Sequence, residues 1–317
     1  MDINDYLKES EREANDFTKV PKDFKSGFVS FIGRPNSGKS TLINFLINEK
    51  VAITSNVANT TRHRFAGIIN KKDYQIIIYD TPGIHKPKDA LSEELNISAE
   101  QAATDVDVIC ILIDATKKFG SGDKFIIDKF KDNNSIKFCL LTKIDKAKKD
   151  DILKQLKEIS NYFDFEEYIP ISSIKRTNLD LLEKLLVKHL SLGHRWFGSE
   201  QTNDVEEEVF ISELIREQIL KNVTDEIPHS TGVLVEDIDF NKNTKTTHIF
   251  ATIIVERDSQ VGIIVGSGGK TLKKIGVSSR HEIEKYIKGK VNLKLNVKVK
   301  KNWRKNANYV RRFGYGQ

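Results

Sequence analysis

The chain has 317 residues, 38% of them hydrophobic and 30% charged, which is the composition of a globular protein with room for two domains. Its net charge of +6 is uneven: residues 265–317 carry fifteen Lys and Arg against two Glu, or +13, and the rest of the chain carries −7. The two cysteines lie in apolar runs and offer neither a disulfide framework nor a zinc site, and no apolar run approaches the ~20 residues of a membrane helix. We therefore expect a cytoplasmic protein whose C-terminal end binds a polyanion, with nucleic acid ahead of a membrane surface.

The first 24 residues are acidic and lack apolar periodicity, which predicts a flexible arm. From residue 25 to residue 195, apolar runs of strand length alternate with helical patterns, as in GFVSFIG, YQIIIYD, VDVICILID and IKFCLLT. Continuous apolar strands separated by helices predict a mostly parallel sheet that is covered on both faces. Residues 25–195 are therefore predicted to form a doubly wound α/β domain.

Residues 196–208 are polar and aperiodic, which predicts a linker to a second domain over residues 209–317. The patterns in that domain follow the order α-β-β-α-α-β. Its last strand, VNLKLNVKVK, alternates apolar residues with Asn or Lys, so it should bury one face and expose a basic one. The chain is thus predicted as an α/β domain followed by a smaller α+β domain with a basic C-terminal tail.

Residues 33–40, GRPNSGKS, follow a predicted strand, open a predicted helix and fit the pattern G-x-x-x-x-G-K-S/T. Such a loop directs backbone N–H groups at phosphate oxygens, while Lys39 would reach the β- and γ-phosphates and the Ser40 hydroxyl would ligate Mg²⁺. A chance glycine-rich turn is the alternative. The predicted nucleotide contacts of this segment are Gly33, Arg34, Pro35, Asn36, Ser37, Gly38, Lys39, Ser40 and Thr41.

Three later motifs follow predicted strands, at the sheet edge where open α/β sheets bind ligands. In DTPG, Asp80 would hold Mg²⁺ through water and the Gly83 N–H would sense a γ-phosphate; a plain turn is the alternative. In TKID, Asp145 would accept hydrogen bonds from N1–H and the 2-amino group of guanine, which adenine lacks; a charged surface loop is the alternative. In ISS, backbone N–H groups would meet guanine O6. The residues predicted from these motifs are Asp80, Thr81, Pro82, Gly83, Ile84, Thr142, Lys143, Ile144, Asp145, Ser172 and Ser173.

Hydrolysis has no evident base, because Ile84 follows DTPG where a glutamine would orient water. The order of the four motifs resembles that of the GTPase family, and the resemblance implies that Thr60 and Thr61 form a first switch, where we favour the Thr61 hydroxyl as a further Mg²⁺ ligand beside Ser40 and Asp80. No catalytic base is assigned, and Asn36, Lys39 and Thr61 are the expected contributors to the transition state or to the switch. The sequence predicts a slow GTPase that converts GTP to GDP and phosphate, with an ATP-dependent P-loop enzyme as the alternative.

The segment GSGG lies between two predicted helices of the second domain, beside the excess of Lys and Arg. This placement is typical of a KH domain, whose open G-x-x-G loop holds the backbone of about four single-stranded nucleotides. A plain helix–helix turn is the alternative reading of the loop, and anionic lipid is the alternative ligand. Trp303 and Tyr309 in the tail would either stack on bases or pack inside. The predicted RNA contacts are Gly266, Ser267, Gly268, Gly269, Lys270, Lys273, Lys274, Lys298, Lys300 and Lys301.

The motifs GRPNSGKSTLINFLI, TTRHR, DTPGIHKPK, TKID, GGKTLKKIG and VKVKKNWR together resemble the Era family of bacterial ribosome-associated GTPases, over residues 25–315. The resemblance implies a P-loop GTPase domain followed by a type II KH domain, in a monomer that binds GTP, GDP and Mg²⁺. It implies a ribosome assembly factor that binds the single-stranded 3′ region of 16S rRNA on the 30S subunit according to its nucleotide state. It also implies peripheral association with the inner face of the cell membrane.

A further implication concerns K⁺, because translation-factor-type GTPases with an Asn at the position of Asn36 use that side chain to help bind the ion. The sequence departs from the family pattern at three positions. Ser37 replaces a small apolar residue of the phosphate loop, where the backbone does the binding. Thr142 replaces the usual Asn of the guanine motif and leaves Asp145 in place. Ser267 replaces a lysine of the G-x-x-G loop and so removes one phosphate contact.

Overall fold

A computed structural model of the chain describes residues 20–54, 62–63, 65–84, 89–223, 227–306, 309–310 and 313. Most of the predicted acidic arm lies outside these ranges, as do Thr60 and Thr61 of the predicted switch. The chain divides into two compact units. The first unit comprises Met1–Ala52, Arg64–His85 and Ile97–Asp204, and the second comprises Ile53–His63, Lys86–Asn96 and Val205–Gln317.

The strands and helices that precede the second domain alternate as the sequence predicts. In chain order they are β1 (Lys25–Gly33), α1 (Lys39–Ile47), β2 (Phe65–Asn70), β3 (Tyr74–Asp80), α2 (Ala90–Gln101), β4 (Val108–Asp114), α3 (Ser121–Phe130), β5 (Ile136–Thr142), α4 (Lys149–Tyr162), β6 (Glu167–Pro170), α5 (Leu179–His189) and β7 (Ser191–Leu192). The sequence pattern does not predict α2, because its apolar stripe is thin and consists of Leu91, Leu95 and Ala99.

These strands form one sheet with the order β2-β3-β1-β4-β5-β6, and β7 pairs with the start of β1. The strands β1, β3, β4, β5 and β6 are parallel, whereas β2 and β7 are antiparallel to their neighbours. Every residue of β4 is buried, as expected for a central strand covered on both faces. The predicted α/β fold is confirmed, and it brings Gly33, Asp80 and Thr142, the last residues of three parallel strands, to the same edge of the sheet.

The predicted linker is held along the edge of β2. The Ile68 N–H donates to the Thr202 carbonyl at 2.8 Å, and the Ala66 N–H donates to Asp204 Oδ1 at 2.6 Å. An edge strand presents unpaired backbone groups, and the polar residues of the linker satisfy them. The hydrophobic periodicity of the sequence does not predict this arrangement, because the linker pairs with β2 through isolated hydrogen bonds and does not form a regular strand.

The second unit contains the predicted α-β-β-α-α-β order. Its elements are α6 (Glu207–Asn222), α7 (Ile227–Ser230), β8 (Gly232–Asn241), β9 (Thr246–Val255), α8 (Asp258–Val265), α9 (Lys270–Ile287) and β10 (Lys290–Val299), with short 3₁₀ turns at Ser267–Gly269 and Trp303–Lys305. The sheet order is β10-β9-β8, with β8 antiparallel and β10 parallel to β9. The sequence predicts one buried face for α6, but every residue from Phe210 to Leu220 is buried.

Two segments that the sequence analysis assigns to the first domain, residues 53–63 and 86–96, cluster with the second unit. Ile53 packs in the core of that unit, and Leu91 and Leu95 pack with Trp303. These contacts join residues that are far apart in the chain, so no local pattern indicates them. The domain boundaries 25–195, 196–208 and 209–317 stay a prediction. Within the described ranges, none of the helices has the length and apolar composition that crossing a membrane requires.

Candidate nucleotide and nucleic-acid sites

The predicted phosphate loop connects the end of β1 to the start of α1. Asn36 and Gly38 adopt positive φ angles of 64° and 98°, which shape the turn. Lys39 is buried, and its Nζ donates to the carbonyls of Gly33 and Arg34, both at 3.1 Å. Burial lowers the pKa of Lys39 to about 8, while Asp80 opposes that shift and Lys143 adds to it. A phosphate beside Lys39 would therefore meet a cation that is poorly compensated within the protein.

The two described members of the predicted metal set lie together. Ser40 Oγ donates to Asp80 Oδ2 at 2.8 Å, and Asp80 is fully buried. A hydroxyl and a carboxylate at one point are the hard oxygen donors that Mg²⁺ prefers, so this pair fits the ion. Thr61, the third predicted ligand, lies outside the described residues.

The DTPG segment crosses the phosphate loop at close range. A Cβ on Gly83 would lie 2.6 Å from the backbone nitrogen of Pro35, so only glycine permits this approach. The Thr81 hydroxyl donates to the Phe31 carbonyl at 2.7 Å, and the Ile84 N–H donates to the Gly33 carbonyl at 3.2 Å. Pro82 is buried. The side chain of Ile84 packs in the hydrophobic core, so it points no polar group at the phosphate end.

The TKID segment is bonded to the phosphate loop. Thr142 Oγ1 donates to the Ser37 carbonyl at 2.7 Å, and Lys143 Nζ donates to the Asn36 carbonyl and, at 2.7 Å, to Asp114 Oδ2. Burial would raise the pKa of Asp114, but hydrogen bonds from Lys143 and Thr116 outweigh it and hold that pKa below its usual value. Sequence reasoning missed Asp114, although it ends β4 just as Asp80 ends β3.

The last two motifs meet at the same edge. Ser172 Oγ donates to Asp145 Oδ1 at 2.6 Å, and the Ile144 N–H donates to the Ile171 carbonyl at 3.3 Å. The carbonyl of Ser173 accepts from Arg176 in the turn that follows, and Thr41 lies in the first turn of α1. The structure thus places the four nucleotide motifs side by side, while their binding roles stay predictions.

The G-x-x-G loop of the second unit forms the turn between α8 and α9, and it is open. Gly266, Gly268 and Gly269 have φ angles of 71°, 58° and 77°. A Cβ on Gly266 would lie 2.2 Å from Thr271 Oγ1, whereas a Cβ on Gly268 or Gly269 would meet no atom within 4 Å. The first glycine is therefore required by its neighbours, and the other two leave space above the loop. The remaining predicted residues nearby, Ser267, Lys270, Lys273 and Lys274, are exposed.

A groove of about 390 Å³ runs from this loop along α9. Its lining residues are Gly269, Leu272, Lys273, Gly276, Val277, Arg280, Leu293 and Leu295. Sequence reasoning predicted an apolar groove but did not name its residues. The helical members are spaced by three, four and seven positions, which is the period of one helix face. Val277 is 52% exposed, so the floor of the groove is apolar and open to solvent.

The strand lysines lie on the other face of the sheet. Residues alternate along β10, so Lys298 points away from the side on which Leu293 and Leu295 line the groove, and Lys300 directly follows the strand. Lys298 Nζ lies 3.2 Å from Glu236 Oε1, and Lys300 Nζ lies 4.4 Å from the ring centroid of Tyr309. Lys301 is exposed beyond the strand. The structure therefore brings Lys273 to the groove and keeps Lys298 and Lys300 away from it.

Trp303 is fully buried, and its Nε1 donates to the Ser230 carbonyl at 3.0 Å. Of the two predicted roles for this side chain, stacking on bases is wrong and internal packing is right.

Family comparisons match both halves of the chain. Residues 28–143 match the family described as 50S ribosome-binding GTPase, and residues 226–304 match the KH domain family. With the fold and the two glycine loops, these matches define the class of the protein as a P-loop GTPase followed by a KH domain.

Similarity to known proteins extends over almost the whole chain. GTPase Era of Clostridium beijerinckii is 43% identical over 293 residues, which cover 92% of this chain and 98% of that protein. A crystal structure of an Aquifex aeolicus Era variant bound to GDP.AlF4⁻ superposes with a TM-score of 0.89 at 36% identity, covering 92% and 99% of the two chains. The crystal structure of Era in complex with MgGDPNP and nucleotides 1506–1542 of 16S ribosomal RNA gives 0.90 at 37% identity and the same coverage. The chain belongs to the GTPase Era family, which confirms the resemblance of its motifs.

Proposed function

We propose that this chain is a GTP-hydrolysing ribosome assembly factor that binds the single-stranded 3′ region of 16S rRNA through its KH domain, according to its nucleotide state. The observation that carries the proposal is the open groove beside Gly269, in a family one of whose members forms a complex with 16S rRNA nucleotides. The protein acts in the cytoplasm, where the 30S subunit is assembled. Peripheral binding to the inner membrane has no support in the geometry and stays a prediction.

The nucleotide site supports binding more directly than rapid hydrolysis. Lys39 supplies positive charge to the phosphates, Ser40 and Asp80 supply oxygen ligands, and Asp145 supplies the acceptor that selects guanine over adenine. Mg²⁺, when bound, neutralises charge on the phosphate oxygens. Ile84 packs in the core, so hydrolysis proceeds without a side-chain base from that position and is slow.

K⁺ would supply part of the missing transition-state charge. The resemblance assigns this cation to the side chain of Asn36, whose backbone carbonyl accepts a hydrogen bond from Lys143 Nζ. Replacing K⁺ by Na⁺ at constant ionic strength should slow turnover, and Asn36→Ala should remove that difference. Equal rates in the two salts would contradict the role of K⁺.

The RNA site is suited to single strands. The apolar floor formed by Leu272, Val277 and Leu293 would lie under unstacked bases, and Lys273 and Arg280 at the groove would contact the RNA backbone. A duplex would not reach this floor, because its bases are paired and stacked. The phosphate contacts are sequence-independent, so affinity should fall with salt.

The test is fluorescence anisotropy with a labelled RNA that carries the 3′ end of 16S rRNA, measured with the full chain bound to GDP or to GDPNP. We expect tighter binding in one nucleotide state and no comparable binding to the same RNA annealed to its complement. Co-sedimentation with vesicles of anionic phospholipid is the parallel arm. Binding to vesicles and not to RNA would overturn the proposal in favour of a membrane-associated switch. If ATP displaced GDP from the protein as well as GTP does, an ATP-dependent enzyme would be favoured instead.

A further inference from the structure

The connection from the end of β4 to the first turn of α3, residues 114–123, lies against the phosphate loop. The cavity between them measures only about 10 Å³, which is the space of about one water molecule. Its lining residues are Arg34, Pro35 and Ser37 of the loop and Asp114, Lys117 and Asp123 of the connection. The connection therefore packs closely against the loop, and it carries a carboxylate at each of its ends.

The carboxylate in the first turn of α3 holds the side chain of Arg34. Arg34 Nη1 donates to Asp123 Oδ2 at 3.3 Å, and the same oxygen accepts the Gly120 N–H at 3.1 Å. The guanidinium lies close over Gly122, because a Cβ at that position would be 2.8 Å from Arg34 Nε. Helix α3 thus fixes the arginine with a buried carboxylate and leaves room for it with a glycine.

The backbone of Arg34 supports the lysine of the phosphate loop. The Arg34 carbonyl accepts from Lys39 Nζ at 3.1 Å and from the Ser37 N–H at 3.2 Å. Lys39 is the side chain that would reach the β-phosphate of a bound nucleotide. A displacement of Arg34 therefore moves both this amine and the turn of the loop.

The carboxylate at the end of β4 holds Lys143. Asp114 Oδ2 accepts from Lys143 Nζ at 2.7 Å, and Asp114 Oδ1 accepts from the Thr116 N–H at 3.0 Å and from its hydroxyl at 2.6 Å. Lys143 Nζ also donates to the carbonyl of Asn36, whose φ of 64° lies in the left-handed region that non-glycine residues rarely adopt. Asp114 therefore supports, through one lysine, an unfavourable backbone conformation of the phosphate loop.

We propose that Asp114 and Asp123 are positioning residues that hold the phosphate loop in the shape that binds the β-phosphate of GDP and GTP. The inference rests on the proposed function, because it concerns the same nucleotide site. Each carboxylate acts through one cation, Lys143 or Arg34, and not by contact with the nucleotide. Because both ion pairs form before binding, the loop loses little freedom when the nucleotide enters. Without them, the free energy of ordering the loop is subtracted from the affinity.

Gly122→Ala tests the Arg34 anchor without a change of charge. The methyl group would displace the guanidinium, so GDP affinity should fall by about 3-fold, as expected for an ion pair whose arginine is 42% exposed. Alanine is a better helix former than glycine, so a purely structural role would leave GDP affinity unchanged and raise the melting temperature. Gly120→Ala is the matched control, because its methyl group would meet only the Lys118 carbonyl, at 3.6 Å.

Asp114→Asn and Asp123→Asn test the two carboxylates directly. Removal of a negative charge near the phosphates would by Coulomb attraction alone strengthen GDP binding, whereas loss of positioning weakens it, so the two explanations predict opposite signs. We expect GDP affinity to fall by about 10-fold in Asp114→Asn, whose carboxylate is buried, and by about 3-fold in Asp123→Asn. Asp132→Asn, the same change at an exposed position after α3, should have no effect.

The preference for GDP over GMP separates positioning from general destabilisation. GMP lacks the β-phosphate that Lys39 would reach, so a displaced loop should weaken GDP binding more than GMP binding. Partial unfolding would weaken the binding of both nucleotides equally and lower the melting temperature. Displacement of a fluorescent GDP by each unlabelled nucleotide measures the two dissociation constants, and thermal unfolding of the same variants measures their stability.

A preference for GDP over GMP that is unchanged in both Asp123→Asn and Gly122→Ala would overturn the inference, even if Asp114→Asn failed to fold. A wild-type chain that binds GDP no more tightly than ADP would instead overturn the proposed function. The two failures are therefore distinguishable.

Discussion

In both glycine loops a lysine follows a glycine at the start of a helix, but the lysine is buried in one loop and exposed in the other. In the phosphate loop, Lys39 is buried and bonded to two loop carbonyls. In the G-x-x-G loop, Lys270 is exposed and the space above Gly268 and Gly269 is empty for 4 Å. Both loops rely on positive φ angles that favour glycine. Positive φ angles alone therefore do not account for the difference.

Tertiary contacts account for it. The phosphate loop is fixed by groups from later strand ends: Thr142 and Lys143 bond its carbonyls, and Ile84 bonds its first residue. Such a rigid cradle suits one small anion, because its donors lose little freedom on binding. The G-x-x-G loop has open space on its outer side, which suits a polymer whose successive phosphates pass over it. Preorganisation of the phosphate loop therefore comes from the rest of the sheet.

The largest expected effect is on nucleotide binding at the site formed by the phosphate loop and the TKID segment. Asp145→Asn replaces the charged acceptor of two guanine hydrogen bonds by one neutral oxygen and an N–H that faces a guanine donor, and each bond to the charged acceptor is worth about 1.5 kcal/mol or more, so GTP affinity should fall about 100-fold. Titration calorimetry with GDP and GTP would measure it. Asp151→Asn, the same change at an exposed position of α4, should leave affinity unchanged.

Xanthosine triphosphate sharpens this test, because an Asn side chain can donate to the carbonyl at its C2 position. Recovery of affinity with that nucleotide would locate the defect at the base. An unchanged preference for guanine over adenine in Asp145→Asn would instead contradict the assignment of the TKID motif.

A smaller effect should follow from the titration of Lys39. Its pKa in the free protein is about 8, and an adjacent phosphate raises it because opposite charges favour the protonated amine. Binding therefore takes up a proton above pH 8, and affinity for GDP should fall by about 10-fold between pH 7 and pH 9. Guanosine, which lacks phosphates, controls for titration of the base. Parallel pH profiles for GDP and guanosine would contradict the role of Lys39.

The sequence predicts the residues of the nucleotide site better than those of the groove beside the G-x-x-G loop. Gly33, Asp80 and Asp145 can be assigned because each motif is local and follows a strand, and the parallel sheet then aligns them. Leu272 and Val277 could have been assigned from their helical spacing. The burial of Trp303, and the attachment of Arg62 and Leu91 to the second unit, come from long-range packing that no local pattern encodes. The basic stretch predicts one surface, whereas Lys273 of α9 lies at the groove and Lys298 lies on the face of β10 that points away from it.

That division gives a prediction of a few-fold effect on RNA. Lys273→Gln at the groove should weaken binding of the 16S-type RNA by about 5-fold and lower the salt slope by about 1. Lys300→Gln carries the same charge change directly after β10, where its amine lies over Tyr309, and should have a smaller effect on both quantities. Equal effects of the two changes would indicate that RNA extends from the groove to the end of β10.

The smallest expected effect distinguishes the glycines within the open loop. Gly268→Ala places a methyl group in free space but forces alanine to a φ of 58°, so the chain should lose about 1 kcal/mol of stability. Gly266→Ala adds a contact of 2.2 Å with Thr271 Oγ1 to a backbone conformation, φ 71° and ψ 172°, that is essentially restricted to glycine, so its loss should be larger. Thermal unfolding of the two variants measures the difference. If both lost the same stability, the Thr271 contact would not be what requires the first glycine, and the open and fixed parts of the loop would be energetically alike.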